Sequence, residues 1–275
     1  MRGHRATLWA AALCALAVFA CAGIYARGAG LLAPGGRELT IEVLSPGADE
    51  SEPDESGPRV LIYHTHTWEA YEMTEDAQYA PTETWRTMDD RYNMICVGKR
   101  LAQELTARGF TVVHDTTAFE PPNLSSAYVR SLAMLEERLS QGEHYDYILD
   151  IHRDAYSGLY NGANAVERDG EQLAYVMLLI GKGTGSTGSG FDARPDWPTN
   201  LALAEEITQE MNDLVPGITR EVKIKSGRFN QHVSPGAVLI EVGNNRNTLE
   251  EALASCPVIA ESLAHIHERR LAAQT

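Results

Sequence analysis

The segment Val60–Glu69, VLIYHTHTWE, runs from strand-forming apolar residues straight into two histidines and a glutamate. Two other apolar runs end in the same way: YILDIHRDA carries His152 and Arg153, and AVLIEVGNN carries Glu241. Imidazole nitrogen and carboxylate oxygen are donors that zinc accepts, and two neutral imidazoles with one carboxylate leave a fourth position for water, as in catalytic sites. Zinc lowers the pKa of its water from 15.7 toward about 7. A carboxylate beside that water can take its proton and pass it to a departing amine. If the three runs are neighbouring strands of a parallel sheet, His66, Glu69, His152 and Glu241 lie at one rim. That makes the first three candidate ligands and suits Glu241 to the proton transfer. To share an ion at about 2 Å each, the imidazoles of His66 and His152 must lie within about 8 Å of one another. A lone strand-end histidine is ordinarily structural, and the HxxE spacing alone is weak. Three strand ends pointing to one chemistry is the stronger signal.

The elements that must position these residues alternate along the chain. Val60–His64 is a short apolar run suited to a strand buried on both faces. Apolar residues at helical spacing over 93–108 predict a helix with Gly109 as its stop signal. FTVVHD predicts a strand, 123–142 a helix capped by Asn123 or Ser125, and YDYILDIH a strand. AYVMLLIG follows as a strand, 198–214 as a helix, REVKI and AVLIEVG as strands, and 248–270 as a last helix. Strands separated by amphipathic helices imply an α/β fold, a mostly parallel twisted sheet with helices on both faces. In such sheets, polar residues at the carboxyl ends of strands converge on the ligand crevice.

The 275 residues are 44% hydrophobic, enough for a sizeable core, and the formal charge of −15 argues against nucleic acid as a partner. The four cysteines, Cys14, Cys21, Cys96 and Cys256, form no CxxC pair and no disulfide framework. Arg2 and Arg5 precede an uncharged stretch over 7–26, long enough to cross a bilayer as a helix. Positive charge before it and little after it orients the N-terminus toward the cytoplasm. The expected layout is a cytoplasmic tip and anchor over 1–27, a Gly-, Pro- and acid-rich linker over 28–57, and an extracytoplasmic catalytic domain over 58–275. A cleaved signal peptide is the alternative to the anchor.

The motifs IYHTHTWEAY, NMICVGKRLAQEL, DIHRDA and NQHVSPGAVLIEVGNNRNTLEEA, in this order, resemble the stage II sporulation protein P family of membrane-anchored cell-wall hydrolases. More distantly the chain resembles zinc N-acetylmuramoyl-L-alanine amidases. The resemblance implies His66 and His152 as metal ligands, Glu241 as catalytic base and peptidoglycan as substrate. It further implies cleavage of the amide between N-acetylmuramic acid and L-alanine, and of peptide cross-links. The implied partners are a lytic transglycosylase and a membrane scaffold during engulfment of the forespore. The amidase pattern points to Asp89 for the carboxylate ligand, four residues before Asn93, whereas the HxxE spacing points to Glu69; Glu69 is preferred and Asp89 stays open. His64, still within the strand, is assigned to supporting the ligands. Arg153 is a candidate for clamping a substrate carboxylate or for a salt bridge with Asp154 or Asp150. Asn230 and His232 are candidates for binding peptide or for holding a loop. The stretch GKGTGSTGSGFD lacks the order of a phosphate loop and is expected to be a rim loop. A non-catalytic wall-binding module on the same fold is the rival function.

Overall fold

The computed structural model describes residues 57–155, 164–185, 190–194 and 196–273. The expected anchor, the linker up to residue 56, including the stretch LTIEVL whose sequence suits an edge strand, and part of the Gly-rich rim loop lie outside the described residues. Among the described residues, no helix is long and apolar enough to cross a membrane.

A six-stranded sheet is built from β1 (Arg59–Tyr63), β2 (Thr111–His114), β3 (Tyr147–Asp154), β6 (Val176–Gly181), β7 (Lys223–Lys225) and β8 (Ala237–Asn244). Their order is β2-β1-β3-β8-β6-β7. The helices are α1 (Met94–Thr106), α2 (Ala127–Ser140), α3 (Trp197–Leu214) and α4 (Leu249–Ala272). β1 runs parallel to β2 and β3, and β3 parallel to β8, so the three motif-bearing strands are adjacent and co-directional.

Alternation along the strands divides the core. Val60, Ile62, Leu149, Ile151, Val238, Ile240 and Val242 pack with residues of α1, α3 and α4, such as Leu101, Ile207 and Ile259. Leu61, Tyr63, Ile148 and Ala237 point the other way, toward Ala127 and Leu135 of α2. The period of two places His152 and Glu241 on the α2 face. Of the four α-helices among the described residues, α2 alone packs on that face, which leaves room beyond the strand ends.

The helices begin where their sequences allow. Asn93 caps α1 by accepting from the Ile95 amide at 2.9 Å, and Met94, Val97, Leu101 and Leu105 form its buried stripe. Thr248 and Glu251 form a capping box at the start of α4, with Arg269 and Arg270 in its last turn, where they suit the helix dipole.

The sheet is mostly parallel, as expected, with one antiparallel pairing. β6 is antiparallel to β8, pairing Met177 with Glu241 and Leu178 with Ile240. The stretch AYVMLLIG is also divided: Ala174 ends β5 and Val176 starts β6. What precedes β6 is a separate hairpin, β4 (Ala165–Arg168) and β5 (Glu171–Ala174), turned at Asp169-Gly170 with both φ angles positive, 54° and 88°. A parallel neighbour needs a crossover, usually a helix. Among the described residues none separates β3 from β6, whereas α3 does separate β6 from its parallel neighbour β7.

Ile240 is fully buried in β8 between Ile151 of β3 and Leu178 of β6. Ile240→Ala is expected to lower stability by about 2–5 kcal/mol. Urea denaturation should show the midpoint falling with the slope unchanged.

Candidate active site

The site begins in the turn after β1. Thr65 donates its amide to Asp150 Oδ1 at 2.8 Å and its hydroxyl to Asp150 Oδ2 at 2.7 Å, tying the turn to β3. His64 is fully buried beneath it. Its Nδ1 donates to the Ile151 carbonyl at 2.9 Å, since a carbonyl can only accept. Its Nε2 therefore accepts from His114 Nε2, also at 2.9 Å. Burial, then the neighbouring His114, push the His64 pKa down to about 3. Both ring nitrogens are engaged by the protein, so His64 supports the turn and its ring is closed to other ligands.

His66 projects from the same turn. Its ring meets His152 edge-on with centroids 5.3 Å apart, inside the limit set by a shared ion, and Tyr128 of α2 at 5.5 Å. His152 and Glu241 are directly opposite one another on β3 and β8. Beyond them the register shifts, with Asp154 paired to Asn244, and the added residue falls at Gly243, whose φ is +69°. The bulge bends β8 at the rim. A side chain at 243 would meet Asn247 Oδ1 at 2.8 Å.

Glu69 reaches this pair: its Oε2 lies 3.4 Å from His152 Nδ1 and accepts from the Arg153 amide at 3.3 Å. Asp89 instead pairs with Arg91 at 2.6 Å, on the surface. The other edge of His152 faces Asp150, Nε2 to Oδ1 at 2.8 Å, a close ion-pair contact off the hydrogen-bond direction. For His152, burial favours the neutral ring, but the Asp150 and Glu69 carboxylates outweigh it and raise the pKa well above the ordinary value. For Glu69, burial favours the acid, but His152 and Arg153 outweigh it and bring the pKa down to about 2. Glu241 is pushed up to about 8, first by burial, with His152 opposing and Glu69 adding. Its Oε2 is buried without a hydrogen-bond partner.

Of three other candidates, Arg153 and Asn230 are engaged with the protein, while the buried Nδ1 of His232 has no hydrogen-bond partner. Arg153 is buried and donates to the carbonyls of Ala70 (2.9 Å) and Trp85 (3.0 Å); its ion-pair partner is Glu69, at 4.0 Å, rather than Asp150 or Asp154. Asn230, at a left-handed φ of 53°, donates to the Tyr128 carbonyl at 2.9 Å and to Ser131 Oγ at 3.0 Å, which locks its loop onto α2. His232 lies among Arg228 and Arg194; burial first, then those cations, lower its pKa. Sequence reasoning missed Glu120 altogether and, for Asp150, named only a possible salt bridge with Arg153 and not its place against His152. Asp150 sits two positions before His152, on the same face, so strand periodicity could have pointed to it. Glu120, 3.4 Å from His66 Nδ1, sits in the loop after β2 with no spacing to mark it. Tyr128 also borders a groove of about 320 Å³ lined by Val129, Leu132, Phe191 and Phe229.

The donor types fit zinc. Two atoms each about 2.0–2.1 Å from a tetrahedral zinc stand roughly 3.3 Å apart, which the 3.4 Å between His152 Nδ1 and Glu69 Oε2 matches. The unpartnered Glu241 oxygen beside them is a buried acceptor awaiting a polar neighbour. Among the described residues, no group of three or more His, Cys, Asp or Glu side chains closes around one point able to hold an ion. The His152–Glu69 pair is in place, with His66 edge-on beside it.

Fold and rim together define an α/β protein with a buried histidine–carboxylate cluster at the carboxyl ends of three parallel strands. The family model for Stage II sporulation protein P matches residues 37–264, and the chain belongs to that family. Stage II sporulation protein P of Bacillus subtilis (strain 168) is 24% identical over 219 residues, 76% of this chain. The chain spans about half the length of that curated relative, 51%. Among solved structures, the N-acetylmuramoyl-L-alanine amidase AmiC2 of Nostoc punctiforme aligns over 78% of this chain and 97% of its own, at 17% identity and a TM-score of 0.43. An N-acetylmuramoyl-L-alanine amidase from Clostridium difficile 630 aligns over 80% and 99%, at 17% identity and a TM-score of 0.46.

Gly98 of α1 packs directly on the buried His64 and the partly buried His114: a Cβ there would lie 2.5 Å from Nε2 of both. Gly98→Ala is expected to cost about 1–3 kcal/mol through overpacking. A chemical denaturation series should register it as a lower midpoint.

Proposed function

We propose that this chain is a zinc-dependent peptidoglycan hydrolase that cleaves the amide between N-acetylmuramic acid and L-alanine. The observation that carries the reading is the pairing of His152 with Glu241 across β3 and β8, with Glu69 against His152 and the His66 ring beside it. Membership of the family supports the cell wall as substrate.

His66, Glu69 and His152 would hold the zinc ion, which supplies Lewis-acid polarisation of the scissile carbonyl and acidification of water. Asp150 backs His152 from the side away from Glu69 and fixes how its ring presents Nδ1. Glu241 Oε2 takes a proton from the attacking water as the C–O bond forms at the lactyl carbonyl. The same oxygen returns that proton to the amide nitrogen as the C–N bond breaks, releasing the amine of L-alanine. A carboxyl pKa raised toward the working pH suits both directions of transfer. Burial excludes bulk water from the Glu241 oxygen, which keeps the proton between the reacting groups.

The reading extends to peptide cross-links between stems as a second bond class. It also takes the uncharged segment over 7–26 as the anchor that holds the domain on the outer side of the cell membrane. A lytic transglycosylase and a membrane scaffold of the engulfment machinery are the proposed partners.

His66→Ala and His152→Ala should each abolish zinc binding, whereas Glu241→Gln should keep about one equivalent of metal and lose turnover. Metal content and release of fragments from purified sacculi measure the two separately. Activity that survives thorough chelation would exclude the mechanism. Mass spectrometry of the fragments from defined muropeptides should reveal a free L-alanine amine; products cut only within the stem would replace the amidase assignment by an endopeptidase.

A further inference from the structure

The cluster contains one buried carboxylate that this mechanism does not use. Glu120 is 3% exposed, in the loop between β2 and α2. Its Oε2 accepts from the Trp68 amide at 3.1 Å, and its Oε1 pairs with the Arg86 guanidinium. Arg130 holds the backbone on both sides, donating to the Phe119 carbonyl at 2.6 Å and the Glu120 carbonyl at 3.0 Å. So anchored, Glu120 places Oε1 3.4 Å from His66 Nδ1. That nitrogen is sealed from solvent and has no hydrogen-bond partner, although the ring as a whole keeps 19% exposure.

We infer that Glu120 is a positioning residue for His66, holding its proton on Nδ1 so that Nε2 is presented to the crevice. The inference rests on the reading of His66 as a zinc ligand. A neutral imidazole carries one N–H, and the partner of one nitrogen decides which is free to bind. An unprotonated Nδ1 would set its lone pair against a carboxylate in a dry environment, which is repulsive, whereas an N–H there is attracted. The exposure that the ring keeps lies away from Nδ1. His152 is arranged in the opposite sense, with Asp150 at Nε2 and Nδ1 toward Glu69. Each histidine thus has a buried carboxylate against one ring nitrogen, Nδ1 in His66 and Nε2 in His152. Arg86 and the Trp68 amide supply the polar contacts that a buried carboxylate requires. They also fix its position, so the ring is oriented before any ligand arrives.

The test uses the full-length chain. In metal-free wild-type protein, ring ¹⁵N spectra should report His66 protonated at Nδ1; a proton on Nε2 would overturn the inference without any variant. Glu120→Gln keeps the side-chain volume and an acceptor for Trp68. It should lower zinc affinity by about 10–100-fold in a chelator competition run well below the variant's melting temperature, which loss of the Arg86 ion pair is expected to lower. Cobalt substitution should give wild-type-like spectra at saturation. Loss of a ligand from those spectra would make Glu120 a ligand and overturn its positioning role. Unchanged zinc affinity in Glu120→Gln, alongside loss of binding in His66→Ala, would sink the inference alone. Wild-type protein that binds no zinc would sink the functional reading instead, while the ring spectra would still decide the proton's place.

Discussion

Asp150 is the point on which the site depends. Its carboxylate is 2% exposed, accepts two hydrogen bonds from Thr65 and lies against Nε2 of His152. One side chain thereby couples the turn carrying His66 and Glu69 to the strand carrying His152. Hydrogen bonds to an ionised acceptor are among the stronger kind, and removing a partner would leave an uncompensated buried charge. The turn after β1 is consequently held by backbone and side-chain contacts at once, as a precise constellation requires.

Above this tie, the architecture decides which way the residues face. The parallel register of β3 and β8 sets His152 beside Glu241, and alternation sends both to the side of the sheet where α2 packs. The opposite side is filled by α1, α3 and α4 and supplies most of the apolar burial. Stability and chemistry are thus assigned to different faces. The bulge at Gly243 then turns the chain aside where a regular strand would continue across the rim.

Much of this was readable from the order of residues. The strands that bear the motifs, the four main helices and the meeting of positions 66, 69, 152 and 241 follow from apolar runs with polar ends. Such runs are buried on both faces, and that burial leaves little freedom of placement. The HxxE spacing favours Glu69 over Asp89, but what sets Glu69 rather than Asp89 beside the histidines is how the loop over 68–93 folds back, which no spacing marks. There Arg153 draws in the carbonyls of residues 70 and 85, while Arg91 captures Asp89 at the surface. The hairpin turn at Asp169-Gly170 did carry a recognisable signal. It was obscured by the longer apolar run that follows it. Glu120 had none, since its contacts with Trp68, Arg86 and His66 are all distant in sequence.

The outermost strand on the β6 side has a consequence of its own. β7 is only three residues long, with Ile224 exposed between Lys223 and Lys225. Two ammonium groups on so short a stretch make a poor template for docking another chain by backbone pairing. At this margin the protein guards against self-association and fibril growth, a useful property for a sheet whose neighbouring strands are almost wholly apolar.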